Sequence, residues 1–236
     1  MKLIIAEEVR SQFPDLRIGL VVAHGIDNTR EDLAVAAITQ AAAQTVRQNL
    51  TVETLTAHPY IQAWRSTYQQ FGSKPNSFRP TAEATLRRII KGETIAPISA
   101  VVDLYLAVEL HHYLPIGGYD LAHVVGDITL RTSPGDEPFT PIGAGEATEK
   151  TYAGEIVYAD ATKILTRRWN YRDCDSAKIT PSSTDIALFC EAPVLAIPSE
   201  ALQACTTQLA ELLQQHCQGK SVRSFLETQS QPELEL

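Results

Sequence analysis

The chain has 236 residues, of which 44% are hydrophobic and 20% charged, so it can bury a sizeable core, and we expect disorder only at its ends. Its net charge of −8 argues against broad, nonspecific adhesion to nucleic acid, although a local basic patch is compatible with it. The N-terminus lacks a signal-peptide pattern and no apolar run approaches the ~20 residues that span a bilayer, so we expect a cytoplasmic protein without a membrane contact.

The first half of the chain predicts a buried strand followed by helices. Residues 17–22, RIGLVV, are rich in β-branched and aliphatic side chains, which favour a strand that ends at His24. Thr29 and Asp32 resemble a capping box. Helical spacing or high helix propensity then predicts helices over residues 31–48, 58–71, 81–91 and 97–115. The last of these is apolar around most of its circumference, with Asp103 as a polar exception.

The second half predicts short strands and one more helix. Gly117 and Gly118 indicate a turn. Strand-like runs follow at residues 127–132, 155–159, 164–168 and 185–191, and a helix is predicted at 199–218. We expect one domain over residues 1–222 and a disordered tail over residues 223–236. This order of elements predicts an α+β (mixed α/β) fold with antiparallel sheets packed with helices.

The common motifs for nucleotide binding, zinc proteases and serine hydrolases are absent from the sequence. The four cysteines lie far apart without a CxxC pair, and His111 and His112 have no further ligand at helical spacing. The sequence therefore indicates no metal and no cofactor.

The segment RRWNYR, residues 167–172, is the most unusual in the chain. Because arginine binds phosphate bidentately and aromatic rings stack on bases, this mixture suits the end of an RNA strand. The alternative is a strand in which Trp169 and Tyr171 point into the core while Arg168 and Arg172 point into water. Residue types alone favour this alternative.

Two further groups are candidates for binding or chemistry. A basic cluster lies on the predicted helix 81–91 and the loop before it, formed by Arg79, Arg87, Arg88 and Lys91. A solvated helix face is the more common explanation of such a cluster. Asp103 and Asp120 are candidate general bases or hydrogen-bond anchors. Capping or turn closure explains Asp120 equally well, and the alternative for a buried Asp103 is a hydrogen bond to the backbone alone.

Several stretches resemble a known family. Residues 97–131, PISAVVDLYLAVELHHYLPIGGYDLAHVVGDITLR, resemble the B3/B4 editing domain of bacterial phenylalanyl-tRNA synthetase β subunits in the Val-Val-Asp helix, the Pro turn, the aromatic-Asp-Leu step and the closing strand. FGSKPNSFRPTAEATLRRIIKGE (residues 71–93) and RRWNYRD (residues 167–173) are similar to stand-alone B3/B4-domain proteins. The resemblance covers roughly residues 60–192.

The resemblance implies a B3/B4-like domain of antiparallel sheets packed against helices. In the synthetase, this domain hydrolyses tyrosine wrongly attached to the phenylalanine tRNA, mainly by positioning a water at the ester carbonyl. This chain departs from the family pattern at the pocket. Tyr105 and Leu106 replace a Thr-Asn pair, Gly117 replaces a histidine, and a glutamate of the last strand corresponds to Phe189, with Glu191 nearby. Because these pocket residues differ from those of the synthetase, the pocket is expected to bind a ligand other than tyrosine, or none.

We therefore expect an RNA-associated protein that acts in trans on aminoacyl-tRNA and deacylates an amino acid other than tyrosine. The alternative is a noncatalytic binding module for tRNA, a free amino acid or a small metabolite. The resemblance implies substrate contacts by Asp103, Tyr105, Gly117, Gly118, Trp169 and Asn170, with Asp103 supporting the pocket. It implies contacts to the tRNA acceptor end by Arg79, Arg88, Arg168 and Arg172. It indicates no particular catalytic residue.

Overall fold

The computed structural model describes residues 1–29, 33–145 and 147–236 and has the predicted α+β fold. Its helices are α1 (Glu7–Gln12), α2 (Leu33–Asn49), α3 (Val52–Ala57), α4 (Pro59–Gln70), α5 (Thr81–Ile90), α6 (Ala100–His112) and α7 (Ser199–His216). Its strands are β1 (Lys2–Ile5), β2 (Arg17–His24), β3 (Ile116–Asp120), β4 (Ile128–Thr132), β5 (Pro138–Phe139), β6 (Glu149–Lys150), β7 (Ile156–Ala159), β8 (Ile164–Arg167), β9 (Arg172–Asp173), β10 (Ile186–Ala192), β11 (Lys220–Glu227) and β12 (Glu233–Glu235).

Two sheets carry most of these strands. The first has the order β12-β1-β4-β7-β8-β9, in which β1 and β4 run parallel and the other neighbours are antiparallel. The second has the order β11-β2-β10-β3 and is antiparallel throughout. Strands β5 and β6 form a separate pair. Strand β10 is buried along its whole length and β2 along most of it, which explains their nearly continuous apolar sequences.

The long helices are layered on the second sheet. Helix α7 contacts β2, β10 and β11, and α6 packs against both α7 and α2. The close approach of α7 depends on Gly19 in β2, because a Cβ there would lie 2.5 Å from Thr206 Cγ2. Helix α6 leads directly into β3, the edge strand of the same sheet. The end of α6 is thereby held next to β3, which pairs with β10.

Capping contacts set the boundaries of α6 inside the longer apolar run. Ser99 Oγ accepts a hydrogen bond from the backbone N–H three residues further on, at 3.4 Å. Asp103 Oδ1 accepts one from the N–H of Ile98 at 3.0 Å. At the other end, Tyr113 adopts a left-handed conformation, with φ of 58°, before Pro115. The helix is therefore shorter than the predicted range of 97–115.

The prediction of a disordered tail over residues 223–236 is wrong. Strand β11 pairs with β2 along its eight residues, and β12 pairs with β1. As an edge strand, β11 buries few of its side chains, so apolar and polar residues alternate only weakly along its sequence. Its partner lies near the other end of the chain, and local sequence patterns do not report such pairings.

Other local predictions also need correction or fall outside the described residues. Gly117 and Gly118 lie within strand β3 instead of forming a turn. Helix α3, which the sequence interpretation lacked, begins with a capping box between Thr51 and Thr54. The predicted capping residue Asp32 and the predicted helix start at residue 31 lie outside the described residues.

Candidate functional site

A small cavity lies where α6, β3, β10 and the hairpin of β8 and β9 meet. Its walls include Tyr105 and Leu106 from α6, Gly117 from β3 and Glu191 from β10. Its volume is about 100 Å³, which is less than the ~150 Å³ of an apolar cavity that admits benzene. In this conformation the cavity fits a group smaller than a phenyl ring.

Glu191 places a buried carboxylate in the wall of this cavity, with 3% of the residue exposed. Its Oε1 accepts hydrogen bonds from the Tyr158 hydroxyl and from Trp169 Nε1 at 2.7 Å, and its Oε2 accepts one from Asn170 Nδ2 at 3.1 Å. Burial raises the pKa of Glu191 to about 7, while the three hydrogen bonds favour the ionised form and oppose that rise. Glu191 therefore titrates in the neutral range.

A strained turn between β8 and β9, residues 168–171, supplies two of these donors. Arg168 and Trp169 have φ values of 48° and 69°, a conformation that costs non-glycine residues on the order of 1–3 kcal/mol each. Trp169 is fully buried and contacts three aromatic rings. Asn170 Oδ1 accepts a hydrogen bond from the Tyr68 hydroxyl at 2.6 Å. These contacts hold the turn and fix the indole and amide donors against Glu191.

Asp173 contributes a second carboxylate to the cavity. The hydroxyl of Thr166 donates to Asp173 Oδ1 at 2.5 Å, so it must accept from the Tyr119 hydroxyl, which also lies 2.5 Å away. Within the described part of the chain, Asp173 Oδ2 accepts no hydrogen bond. Burial raises the pKa of Asp173 to about 6, although the bond from Thr166 opposes the rise. Asp173 is thus a half-buried carboxylate with one oxygen available to a ligand.

Helix α6 forms a largely apolar wall opposite these acids. Leu106 is half-buried in it, next to Tyr105. Burial raises the pKa of Tyr105, and the nearby charge of Asp173 adds to the effect, so the phenol stays protonated at neutral pH. No hydrogen bond of the Tyr105 hydroxyl occurs among the described residues. The wall therefore offers one free hydroxyl and otherwise apolar surface.

Only one of the four predicted RNA-binding arginines lines the cavity. Arg172 is half exposed, and its Nη1 donates to Glu149 Oε1 at 3.3 Å. Arg168 is 7% exposed, with its guanidinium carbon 3.6 Å from the centroid of the Phe78 ring. The expected alternation therefore holds for buried Trp169 and exposed Arg172, but Arg168 does not point into water.

The other two arginines lie at helix α5 and already have acidic neighbours. Arg79 Nε lies 3.9 Å from Glu83 Oε1. Arg88 is largely exposed, and its Nε donates to Glu93 Oε2 at 2.8 Å. Neither residue belongs to the lining of the cavity.

Two of the expected substrate contacts also lie elsewhere. Asp103 lines a different cavity of about 450 Å³ together with Ile98. Gly118 packs against β10, where a Cβ would lie 2.3 Å from the Ala187 carbonyl oxygen. Asp120 closes a turn, accepting from a backbone N–H through Oδ1 and from a serine hydroxyl through Oδ2. Of the expected contacts, the cavity brings together Tyr105, Gly117, Trp169 and Asn170.

The described ranges contain no cluster of three or more His, Cys, Asp or Glu side chains arranged to hold a metal ion. Among the helices that the structure describes, none is both long and apolar enough to cross a membrane. The four cysteines are buried thiols.

Residues 63–218 match the family model of the B3/4 domain, which spans more than half of the sequence. The chain belongs to the B3/4 domain family. Among solved structures, it is similar to an N-terminal fragment of the phenylalanyl-tRNA synthetase beta-subunit from Pyrococcus horikoshii, with 11% identity and a TM-score of 0.45. The match covers 94% of this chain and 53% of that one, so the chain spans about half the length of that fragment. No curated protein matches the chain significantly.

In this B3/4 domain, sequence reasoning noted Glu191 only as a neighbour of the position that corresponds to the family's glutamate, and it gave Asp173 no role. Glu191 is a charged residue in the otherwise apolar strand β10, and that contrast is a signal that the sequence does contain. Asp173 follows directly after the RRWNYR segment and carries no comparable local signal. Their convergence on one cavity depends on the pairing of β8 with β9 and on the second sheet.

Proposed function

We propose that this B3/4 protein binds a small aminoacyl group in its cavity and hydrolyses the ester that joins the group to tRNA. The observation that carries the proposal is Asp173, a half-buried carboxylate with a pKa of about 6 and an oxygen free to meet a ligand. Groups with pKa values near the working pH are suited to general base catalysis. Membership of the B3/4 family and the resemblance of residues 97–131 to an editing domain support an aminoacyl ester as the substrate.

In the proposed reaction, Asp173 Oδ2 accepts a proton from a water as the water oxygen attacks the ester carbonyl carbon. The carbon–oxygen bond to the ribose then breaks, and the proton passes to the departing ribose oxygen. The free amino acid and uncharged tRNA are the products. The chain of hydroxyls from Tyr119 through Thr166 holds Asp173 Oδ1, so that Oδ2 stays directed to the reacting group.

The size of the cavity supports a small substrate. A volume of about 100 Å³ is below the ~150 Å³ that admits a benzene ring. Tyr105 and Leu106 narrow the wall on one side. A phenol ring would therefore have to displace these side chains, whereas an aminoacyl group the size of alanine or serine would not.

A second candidate is noncatalytic binding of a free small amino acid or a similar metabolite. It is supported by the positions of the arginines, since only Arg172 lines the cavity and the others contact protein groups. The net charge of −8 also favours a small ligand over a polyanion. In this case Arg172 would meet the carboxylate of the amino acid, and Asp173 would meet its ammonium group.

A panel of charged tRNAs distinguishes the two candidates. Release of labelled amino acid is measured for wild type, Asp173→Asn and the matched control Asp136→Asn, whose carboxylate is 88% exposed and outside the cavity. We expect wild type to release amino acid from tRNAs that carry small amino acids. The rate of release should fall about 100-fold in Asp173→Asn and stay unchanged in Asp136→Asn. The rate in wild type should rise with pH and level off above about 6, as Asp173 loses its proton.

Two outcomes contradict catalysis by this site. One is an absence of release from every charged tRNA by a preparation that unfolds cooperatively. The other is equal release by wild type and Asp173→Asn. Calorimetric binding of free amino acids under those conditions would leave the noncatalytic candidate in place.

A further inference from the structure

A cluster of arginines surrounds one buried carboxylate at the N-terminal half of α5. Glu83 is fully buried, and Arg65 Nη1 donates to both of its oxygens, at 2.9 and 3.1 Å. Arg87 Nε donates to Glu83 Oε1 at 2.7 Å, and Arg79 Nε lies 3.9 Å from that oxygen. A buried carboxylate needs a cationic partner, but one guanidinium is enough to balance its charge.

The cluster therefore carries more positive than negative charge. Glu53 is a further acidic neighbour of Arg87 only, so the excess lies on the side of Arg65 and Arg79. Lys74, in the loop that follows α4, is exposed and forms no ion pair within the described residues. In a chain with a net charge of −8, this is a locally basic region.

A cavity of about 400 Å³ lies on this basic side, between α4 and residues 72–77. Arg65 and Lys74 both line it. Arg65 Nη2 also donates to Asn76 Oδ1 at 2.5 Å, so the guanidinium is fixed from two sides and still has N–H groups without a partner. Ser73 in the same wall is 4% exposed, and its hydroxyl has no partner among the described residues.

Buried polar groups without partners are uncommon in folded proteins. Two occur in this cluster, the hydroxyl of Ser73 and the Nε–H of Arg79. Both are hydrogen-bond donors, and both lie in a region of excess positive charge. Ser73 lines the cavity, whereas Arg79 does not. A ligand in the cavity that supplies acceptor oxygens and negative charge would complement the Ser73 hydroxyl and the excess positive charge, and phosphate has that chemistry.

We propose that the cavity formed by α4 and residues 72–77 binds a phosphate group through Arg65 and Lys74. The site is separate from the cavity lined by Asp173 and Glu191, the acidic cavity. The proposal does not depend on deacylation. The phosphate belongs either to an RNA backbone or to a free phosphate. The position of the site favours RNA, because Ser77 lines this cavity and Thr81 lines the acidic one. Four residues of extended chain span at most ~14 Å, so Ser77 and Thr81 lie within that distance of each other. A single extended RNA strand can therefore reach both cavities.

The test is a titration of the full-length chain with sodium phosphate, followed in two-dimensional amide NMR spectra, with sodium chloride at equal ionic strength as the reference. The backbone amide signals of the non-proline residues among 72–77 should shift with phosphate and stay unchanged with chloride. Lys74→Ala should weaken phosphate binding about tenfold. The matched control Lys220→Ala removes an exposed lysine of β11 and should change the affinity less than about twofold.

A second arm uses a short single-stranded oligoribonucleotide and fluorescence anisotropy. If the RNA backbone is the source of the phosphate, RNA binds more tightly than inorganic phosphate, and Lys74→Ala reduces the slope of log affinity against log salt by about 0.7. Phosphate binding without tighter RNA binding supports the site and assigns it to free phosphate. The proposal is overturned if phosphate shifts no amide of residues 72–77 and the RNA gives no change in anisotropy. Equal losses of affinity in Lys74→Ala and Lys220→Ala overturn it as well.

Discussion

Replacing Glu191 with glutamine removes a charge from the wall of the acidic cavity while keeping the size of the side chain. In the folded chain, burial raises the pKa of Glu191 from 4.5 to about 7. Between these two pH values, the folded chain retains a proton that the unfolded chain has released. Raising the pH therefore favours unfolding, and the stability present below about pH 4.5 is lost as the pH approaches and passes 7.

The magnitude follows from the two pKa values. A pKa raised from 4.5 to about 7 corresponds to about 3 kcal/mol of free energy of unfolding. Glutamine does not titrate, so the Glu191→Gln variant lacks this loss. The amide also changes the hydrogen bonds from Tyr158, Trp169 and Asn170, but that offset is the same at every pH and cancels from the pH dependence.

The assay is urea unfolding of wild type and variant at several pH values from 4.5 to 8, with linear extrapolation to water. The free energy of unfolding of wild type minus that of the variant should fall by about 3 kcal/mol across this range, mostly between pH 5 and 7.5. Parallel curves would refute the account of Glu191 as a carboxyl whose pKa is raised by burial. If the free energy of unfolding of wild type minus that of the variant grew with pH, the three hydrogen-bond donors to Glu191 would lower its pKa by more than burial raises it.

Two further predictions concern the fold. Gly118→Ala should lower the free energy of unfolding by about 2 kcal/mol or more, because its Cβ would lie 2.3 Å from the Ala187 carbonyl oxygen. Gly117→Ala should lower it by less than about 1 kcal/mol, because the nearest atom to its Cβ would be Asp173 Oδ2 at 3.8 Å. Urea unfolding checks both, and equal losses would contradict the different surroundings of the two glycines. Deleting residues 220–236 removes β11 from beside β2 and should abolish cooperative thermal unfolding followed by circular dichroism, while a retained sharp transition would contradict it.

Elements with a strong local pattern were predictable from the sequence. Strand β2 has a nearly continuous apolar sequence, and α4 and α7 show helical spacing of apolar residues, so the predicted ranges agree with the structure within a few residues. Their boundaries depend on capping contacts. Helices α5 and α7 begin at Thr81 and Ser199, and the N-cap position of each is a proline.

Long-range pairing and backbone strain were not predictable in this way. Strand β11 is an exposed edge that acquires its place only by pairing with β2. The RRWNYR segment has the composition of a strand, yet the positive φ angles of Arg168 and Trp169 make it a turn. Because that turn brings Asn170 to Glu191, the site is a consequence of tertiary contacts that residue types alone do not specify.

The measurement that tests the central claim most directly is a titration of the indole N–H resonances with amino acid amides of increasing size. The chain has two tryptophans, so a Trp64→Phe variant assigns the two signals. The Trp169 indole donates to Glu191 at the cavity and reports its occupation. We predict that alanine and serine amides shift the Trp169 signal and that tyrosine amide does not. A shift caused by tyrosine amide at lower concentration than serine amide, or no shift with any of them, would contradict the assignment of this cavity to a small aminoacyl group.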